Sequence, residues 1–224
     1  MQSIKYTSDY GPKEELLNII THIIGIIFAI VALVFMIIKA FETDINLNGV
    51  QIASICIFGS TLILMFLGST LYHSFSNTPA KFALKRLDHS AIFALIAGTY
   101  SPILLIGIGT TQAWILFWIL WIIAFFGIIM KLFFVNRFKK LSLILYLGMG
   151  WLSVLIIKDL YFTNKDALLW IAIGGLLYTV GTIFYVAKRY KYTHAIWHMF
   201  VLSASICQTC AIWFYIITPM RNNI

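Results

Sequence analysis

Long apolar stretches alternating with short polar interruptions organise almost the whole of this chain. A helix crossing the hydrocarbon core of a bilayer needs about 20 predominantly apolar residues. Seven stretches fit that requirement: 18–39, 50–75, 87–109, 112–132, 141–157, 167–187 and 193–217, the fifth being the shortest. Between them stand helix breakers and charges: Glu42 to Asn48, Thr78-Pro79 with Lys81, Gly107 to Gly109, Asn136 to Lys140, Asn164 to Asp166, and Lys188 to Lys191. The pattern predicts an all-α integral membrane protein, a seven-transmembrane helix bundle occupying 18–217. A short N-terminal segment (1–17) precedes it and a short tail (218–224) follows. No internal repeat or low-complexity segment marks off a second domain, and no cleavable leader is expected, because the first residues are polar.

Composition strengthens this reading. Of 224 residues, 61% are hydrophobic and only 11% charged, with a mean hydropathy of +0.93. A soluble domain carries roughly a quarter charged residues, so this chain lacks the polar surface to face water. The formal charge of +8 raises nucleic-acid binding as a possibility, but the placement of the charges gives them another purpose. Lys81, Lys85 and Arg86 follow the second stretch, Lys131, Arg137, Lys139 and Lys140 the fourth, and Lys188, Arg189 and Lys191 the sixth. The alternate loops are acidic or balanced, with Glu42 and Asp44 in one, and Lys158 and Lys165 against Asp159 and Asp166 in another. Basic loops lie in the cytoplasm. The N-terminus is therefore expected inside and the C-terminus outside.

That orientation sorts the polar residues by depth. His73 ends the second stretch, Asp88 and His89 begin the third, and His194 and His198 open the seventh. Glu15, Asn18 and His22 stand at the start of the first. All of them are expected in the cytoplasmic leaflet. Ionisable groups within spans are costly and face the bundle interior or a polar cavity, so a shared depth points to a shared site.

The chemistry follows from the residue types. His194 and His198 are four apart on one helix face, and imidazoles at that spacing can serve one metal ion. With His73 they supply three nitrogens to tetrahedral zinc and leave one position for water, whose pKa falls towards 7. Asp88 is suited to accept a proton from that water, and Ser69, one turn before His73, to hydrogen-bond the water, a carbonyl or Asp88. Such a site suits cleavage of an amide or ester whose polar head enters from the cytoplasmic leaflet while its acyl chain lies between helices. Each residue also has a plainer reading. A histidine near a span end can cap carbonyls or meet headgroups, and the HxxxH spacing lacks the glutamate of soluble zinc proteases, Ala195 standing in its place. His89 points away from Asp88 around the helix, as a packing or supporting residue. Glu15, Asn18 and His22 share a face as a structural hydrogen-bond network or as direct participants. Cys207-x-x-Cys210 has no cationic neighbour to activate a thiol, and with Cys56 it reads as helix packing. Trp114, Trp118 and Trp121 suit interfacial or lipid-facing positions. Gly148, Gly150, Gly174, Gly175 and Gly181 are expected to permit close helix approach.

Taken together, Glu15-x-x-Asn18-x-x-x-His22, Ser69-x-x-x-His73 with Asp88, and His194-x-x-x-His198 resemble the bacterial haemolysin III group. That group lies within the progestin and adipoQ receptor superfamily, itself similar to alkaline ceramidases. The stretch from Leu87 to Pro102 and the pattern Gly174-Gly175-x-x-Tyr178-x-x-Gly181-x-x-x-Tyr185 belong to the same resemblance, which covers essentially the whole chain. It implies a seven-helix bundle with its N-terminus inside, zinc on the residues matching His73, His194 and His198, Asp88 at the zinc-bound water, and Ser69 beside it. It also leaves the task open. The group's name reflects cytolysis, eukaryotic relatives look like receptors with ceramidase-type activity, and bacterial relatives are linked to membrane-lipid homeostasis. Three functions therefore compete: a zinc hydrolase or homeostasis factor with membrane lipid as substrate or ligand, a cytolytic pore, and a zinc-stabilised sensor without catalysis. Function on a shared fold is decided at the site.

Overall fold

A computed structural model describes residues 10–42, 46–75, 78–187 and 189–217, and every regular element among them is helical. The chain runs through α1 (Pro12–Glu42), α2 (Gly49–Ser74), α3 (Lys81–Pro102), α4 (Thr111–Phe134), α5 (Lys139–Trp151), α6 (Ile157–Val186) and α7 (Thr193–Cys210). π-helical turns at Ile103–Ile108 and Ala211–Ile216 extend α3 and α7, and a 3-10 segment, Leu152–Ile156, joins α5 to α6. The first nine residues of the expected N-terminal segment, Asp44 and Lys188 of the charge pattern, and the tail 218–224 lie outside the described residues.

Local chemistry sets the helix ends. Pro12 opens α1, where a missing N–H costs nothing, and Glu14 and Glu15 follow in its first turn. α1 thus begins earlier than residue 18, because its acidic first turn is favourable at a helix N-terminus. Asn48 and Gln51 form a reciprocal capping box at the start of α2, and Thr110 caps α4 by accepting from Ala113 N. Pro102, which lacks a backbone donor, falls where α3 passes into a π-helical turn.

Among the described residues, six helical runs are long and apolar enough to cross a membrane: Pro12–Glu42, Gly49–Ser74, Lys81–Ile108, Thr111–Phe134, Lys139–Val186 and Thr193–Ile216. The fifth of these is 48 residues long and covers two of the stretches expected from the sequence. It is broken inside. Asn164 has non-helical angles (φ −161°, ψ 90°), its side-chain oxygen accepts from Ala167 N at 3.0 Å, and its amide donates to the Tyr215 carbonyl at 2.8 Å. Upstream, Tyr146 donates to the His89 carbonyl at 2.7 Å. Downstream, the Tyr185 ring lies 6.3 Å from that of His194. The run leaves the histidine level at Tyr146, meets the far end of α7 at Asn164, and is back at the histidine level by Tyr185.

Neighbours in sequence pack side by side through α1 to α4, α6 packs on α7, and α7 also meets α1. α5 is the loosely held member, burying only Ser142 and Met149. Close approach is bought by small residues where backbones meet: a Cβ at Gly25 would collide with Phe66, one at Gly98 with Thr61, and one at Gly127 would sit 2.5 Å from Phe93. The glycines singled out from the sequence divide. Gly174 and Gly181 are tight against α7, but Gly148, Gly150 and Gly175 have nothing within 4 Å, because the space beside them is a cavity or lipid. Leu17, Ile24, Val31, Phe35 and Ile38 on α1 are exposed, as are Ile115, Trp118, Ile122 and Phe126 on α4. An apolar exterior of this extent belongs in hydrocarbon. Trp121 departs from its expected lipid-facing position by donating to Ser101 Oγ at 3.2 Å.

Candidate metal centre

The inward stripe of α1 is polar at one end only: Glu15, Asn18 and His22 are buried, followed by Gly25, Ala29 and Ala32. Spacings of three and four keep these residues on one face. That polar end meets the last turn of α2, carrying Ser69 and His73, and the first turns of α7, carrying His194 and His198.

One ligand nitrogen from each of His73, His194 and His198 lies within 4.8 Å of the others, and this group could hold a metal ion. Hydrogen bonds assign the tautomers. His73 Nδ1 donates to Glu15 Oε2 at 2.5 Å, with Asn18 Nδ2 alongside at 3.3 Å. The carboxylate oxygen is the nearer acceptor, whereas the Asn18 amide nitrogen is itself a donor, so the His73 proton is directed to Glu15. His198 Nδ1 donates to the Asn18 carbonyl at 3.3 Å. Both rings therefore turn an Nε2 lone pair to the centre. His73 Nε2 is buried with no hydrogen-bond partner among the described residues, while His198 Nε2 and His194 Nε2 face each other at 3.1 Å. Nitrogens bound tetrahedrally at about 2.0–2.1 Å from one ion stand about 3.3 Å apart. A pair of ring nitrogens at this spacing, with the His73 nitrogen beside it, suits a cation.

The other expected residues distribute around this centre. Asp88, Ser69, His22 and His89 line the same cavity as His194 and His198. Ser69 is buried one turn before His73, and Asp88 Oδ2 lies 3.0 Å from His89 Nδ1. His89 thus touches Asp88 and, through its carbonyl, Tyr146. Glu15 and Asn18 do not join the convergent nitrogens; they hold the backs of His73 and His198. His22 stacks on His198 with centroids 3.7 Å apart and meets Phe66 edge-on, its two ring nitrogens without hydrogen-bond partners among the described residues.

Sequence reasoning missed Tyr10. Its ring stacks on His194 at 4.6 Å and 19° and lies 5.8 Å from the His73 ring, covering the more exposed side of the centre. Its position ahead of the first apolar stretch gave no signal.

The cavity holds about 400 Å³ and runs from the histidines between α3, α5, α6 and α7. Its wall is mainly apolar, including Met65, Ile92, Leu147 and Val201. Trp151, Val154, Ile157 and Leu176 line it and are also exposed on the apolar exterior, so the cavity opens sideways between α5 and α6.

Comparison with known proteins fits this arrangement. A family model described as haemolysin-III related matches residues 10–209. The hemolysin-3 homolog of Bacillus subtilis (strain 168) is 45% identical over 204 residues, covering 91% of this chain and 94% of its own. Hemolysin-3 of Bacillus cereus is 42% identical over 207 residues, 92% of this chain and 93% of its own. The human monocyte to macrophage differentiation factor is 30% identical over 166 residues, covering 71% of this chain and 69% of its own, which extends the relationship to the progestin and adipoQ receptors. The chain is a multi-pass membrane protein of the haemolysin III family, consistent with a bacterial plasma membrane.

Proposed function

We propose that this protein is a zinc-dependent hydrolase of lipid amides or esters, acting on a membrane lipid drawn from the cytoplasmic leaflet. The carrying observation is that three imidazoles converge and that two of them, His194 and His198, line one cavity with Asp88 and Ser69. Three imidazole donors without a thiolate suit zinc, which His73, His194 and His198 would hold. A zinc ion bound there would supply Lewis acidity to polarise a water and the substrate carbonyl. Asp88 accepts the proton and passes it to the leaving amine or alcohol. The Asp88–His89 contact of 3.0 Å steadies that carboxylate. Ser69 donates to the substrate carbonyl. The apolar wall takes the acyl chain, and the gap between α5 and α6 lets it in from the bilayer.

The topology belongs to the same proposal. With Asn164 reversing the 48-residue run, the chain crosses seven times. Lys81, Lys85, Arg86, Arg137, Lys139 and Lys140 then crowd the histidine end, which the positive-inside rule places in the cytoplasm.

Lipid turnover by purified protein tests the hydrolase. Wild type should release fatty acid from an amide- or ester-linked lipid, and Asp88→Ala and His198→Ala should lose at least a hundredfold. Asp88→Ala should still bind metal. Equal turnover by all three would reject the reading. The word hemolysin in the relatives' names favours a cytolytic pore as the second reading. Metal-independent conductance in planar bilayers, without lipid product, would select it.

A further inference from the structure

Along α7 the cavity is lined by a single stripe: His194, His198, Val201 and Gln208. Their spacings of four, three and seven residues keep them on one helix face. Gln208 stands ten residues after His198, about 15 Å further along the axis. The hydroxyls that α6 presents between these levels are already bonded within the protein. Thr182 donates to the Thr179 carbonyl at 2.6 Å, Thr179 to the Gly175 carbonyl at 2.8 Å, and Tyr178 pairs with Ser205 at 2.9 Å. The wall between the two ends therefore has few polar groups to spare.

Gln208 differs from those hydroxyls. It is 6% exposed, and its Nε2 donates to the Ile171 carbonyl at 3.2 Å. That bond orients the amide, since turning it over would set two oxygens against each other. A Cβ at Gly174 would sit 2.7 Å from Nε2, so α6 holds the nitrogen closely. The other half of the amide has no such role. Oε1 is buried with no hydrogen-bond partner among the described residues. A tie between α7 and α6 accounts for the donor alone and leaves a buried acceptor, which costs free energy wherever nothing donates to it. Methionine would fill the same space without that cost.

We infer that Gln208 selects the chain that fills the cavity: an acyl chain carrying a hydroxyl far from its head, which donates to Gln208 Oε1 while the head lies at the histidine end. The inference rests on the reading above that the cavity takes the acyl chain of a lipid. A plain hydrocarbon chain would leave Oε1 unpaired, and an ammonium would be stranded against an apolar wall. A hydroxyl brings a donor at a smaller desolvation cost, and its bond to Oε1 offsets that cost.

Displacement of a fluorescent fatty acid from the purified full chain in detergent reads this selection without turnover. The probes are octadecanoic acid and its monohydroxylated isomers, with the hydroxyl moved stepwise along the chain. Wild type should bind one isomer, or a few neighbouring ones, about tenfold more tightly than octadecanoic acid. Hydroxyls close to the carboxyl should gain nothing. Gln208→Met should bind octadecanoic acid at least as tightly as wild type and lose the preference. Should that variant not fold, the positional profile of wild type decides alone. Equal affinities across the series, a preference kept by Gln208→Met, or no displacement by any chain would overturn the inference. Release of fatty acid from amide- or ester-linked lipids is measured separately. Release without a hydroxyl preference keeps the hydrolase and rejects the selection by Gln208, whereas a preference without release does the reverse.

Discussion

Glu15 shows how a single residue sets the chemistry of another. Its carboxylate receives the His73 Nδ1 proton at 2.5 Å, which directs the Nε2 lone pair inward. Partners of this kind orient a ligand imidazole and raise its basicity. Glu15→Gln keeps a hydrogen-bonding group but removes the charge, and should weaken zinc binding about 10–100-fold, read by competition with a chromophoric chelator. His73→Ala should abolish stoichiometric binding in the same assay, and an unchanged affinity in Glu15→Gln would show that the contact has no part in holding metal. The grouping of the three imidazoles was legible in the sequence because i and i+4 spacing gives His194 and His198 a shared face, and the end of the second apolar stretch gives the depth of His73. The support was less so. Which of Glu15, Asn18 and His22 backs which imidazole depends on how α1 is rotated against α2 and α7. Tyr10 left no trace, since one more aromatic in an aromatic-rich chain carries no depth.

Among the elements, the run through α5 and α6 is where length and composition mislead. Its 48 residues read as one helical run, but Asn164 ends one segment and caps the next while bonding the Tyr215 carbonyl. Asn164→Ala removes a cap and an interhelical bond together. It should cost about 1–2 kcal/mol, measured as a lower midpoint of thermal unfolding in detergent. No change would mean that the reversal is held by packing alone. The polar cluster from Asn164 to Asp166 announces this break in the sequence. The 3-10 segment at Leu152–Ile156 does not announce itself, since its residues are as apolar as their neighbours. The glycines make a similar point: Gly174 and Gly175 are adjacent, yet only Gly174 faces a packed helix, because neighbouring positions point about 100° apart.

At the scale of the whole molecule, closure of the bundle by α7 against α1 makes a site from the two ends of the chain. His22 stacks on His198 across most of the sequence. Polar side chains gather at one end of an otherwise apolar bundle, where desolvation is offset by mutual hydrogen bonding. The proposed orientation puts that end in the cytoplasm. Alkaline phosphatase fused after the C-terminus should then be active in the periplasm of a Gram-negative host, whereas a fusion at Asn136 should be silent. The reverse pattern would place the histidines at the outer leaflet.

The sequence alone determined that this chain lives in a membrane, that its longest helical run breaks at the Asn164 cluster, and which imidazoles share a depth. Those properties depend on hydropathy and helical period, which are local. Only the tertiary structure decided which rings converge, which groups stand behind them, and that a cavity opens beside α5. Each depends on the rotation and separation of helices far apart in sequence, and side-chain packing across those interfaces is what sets them.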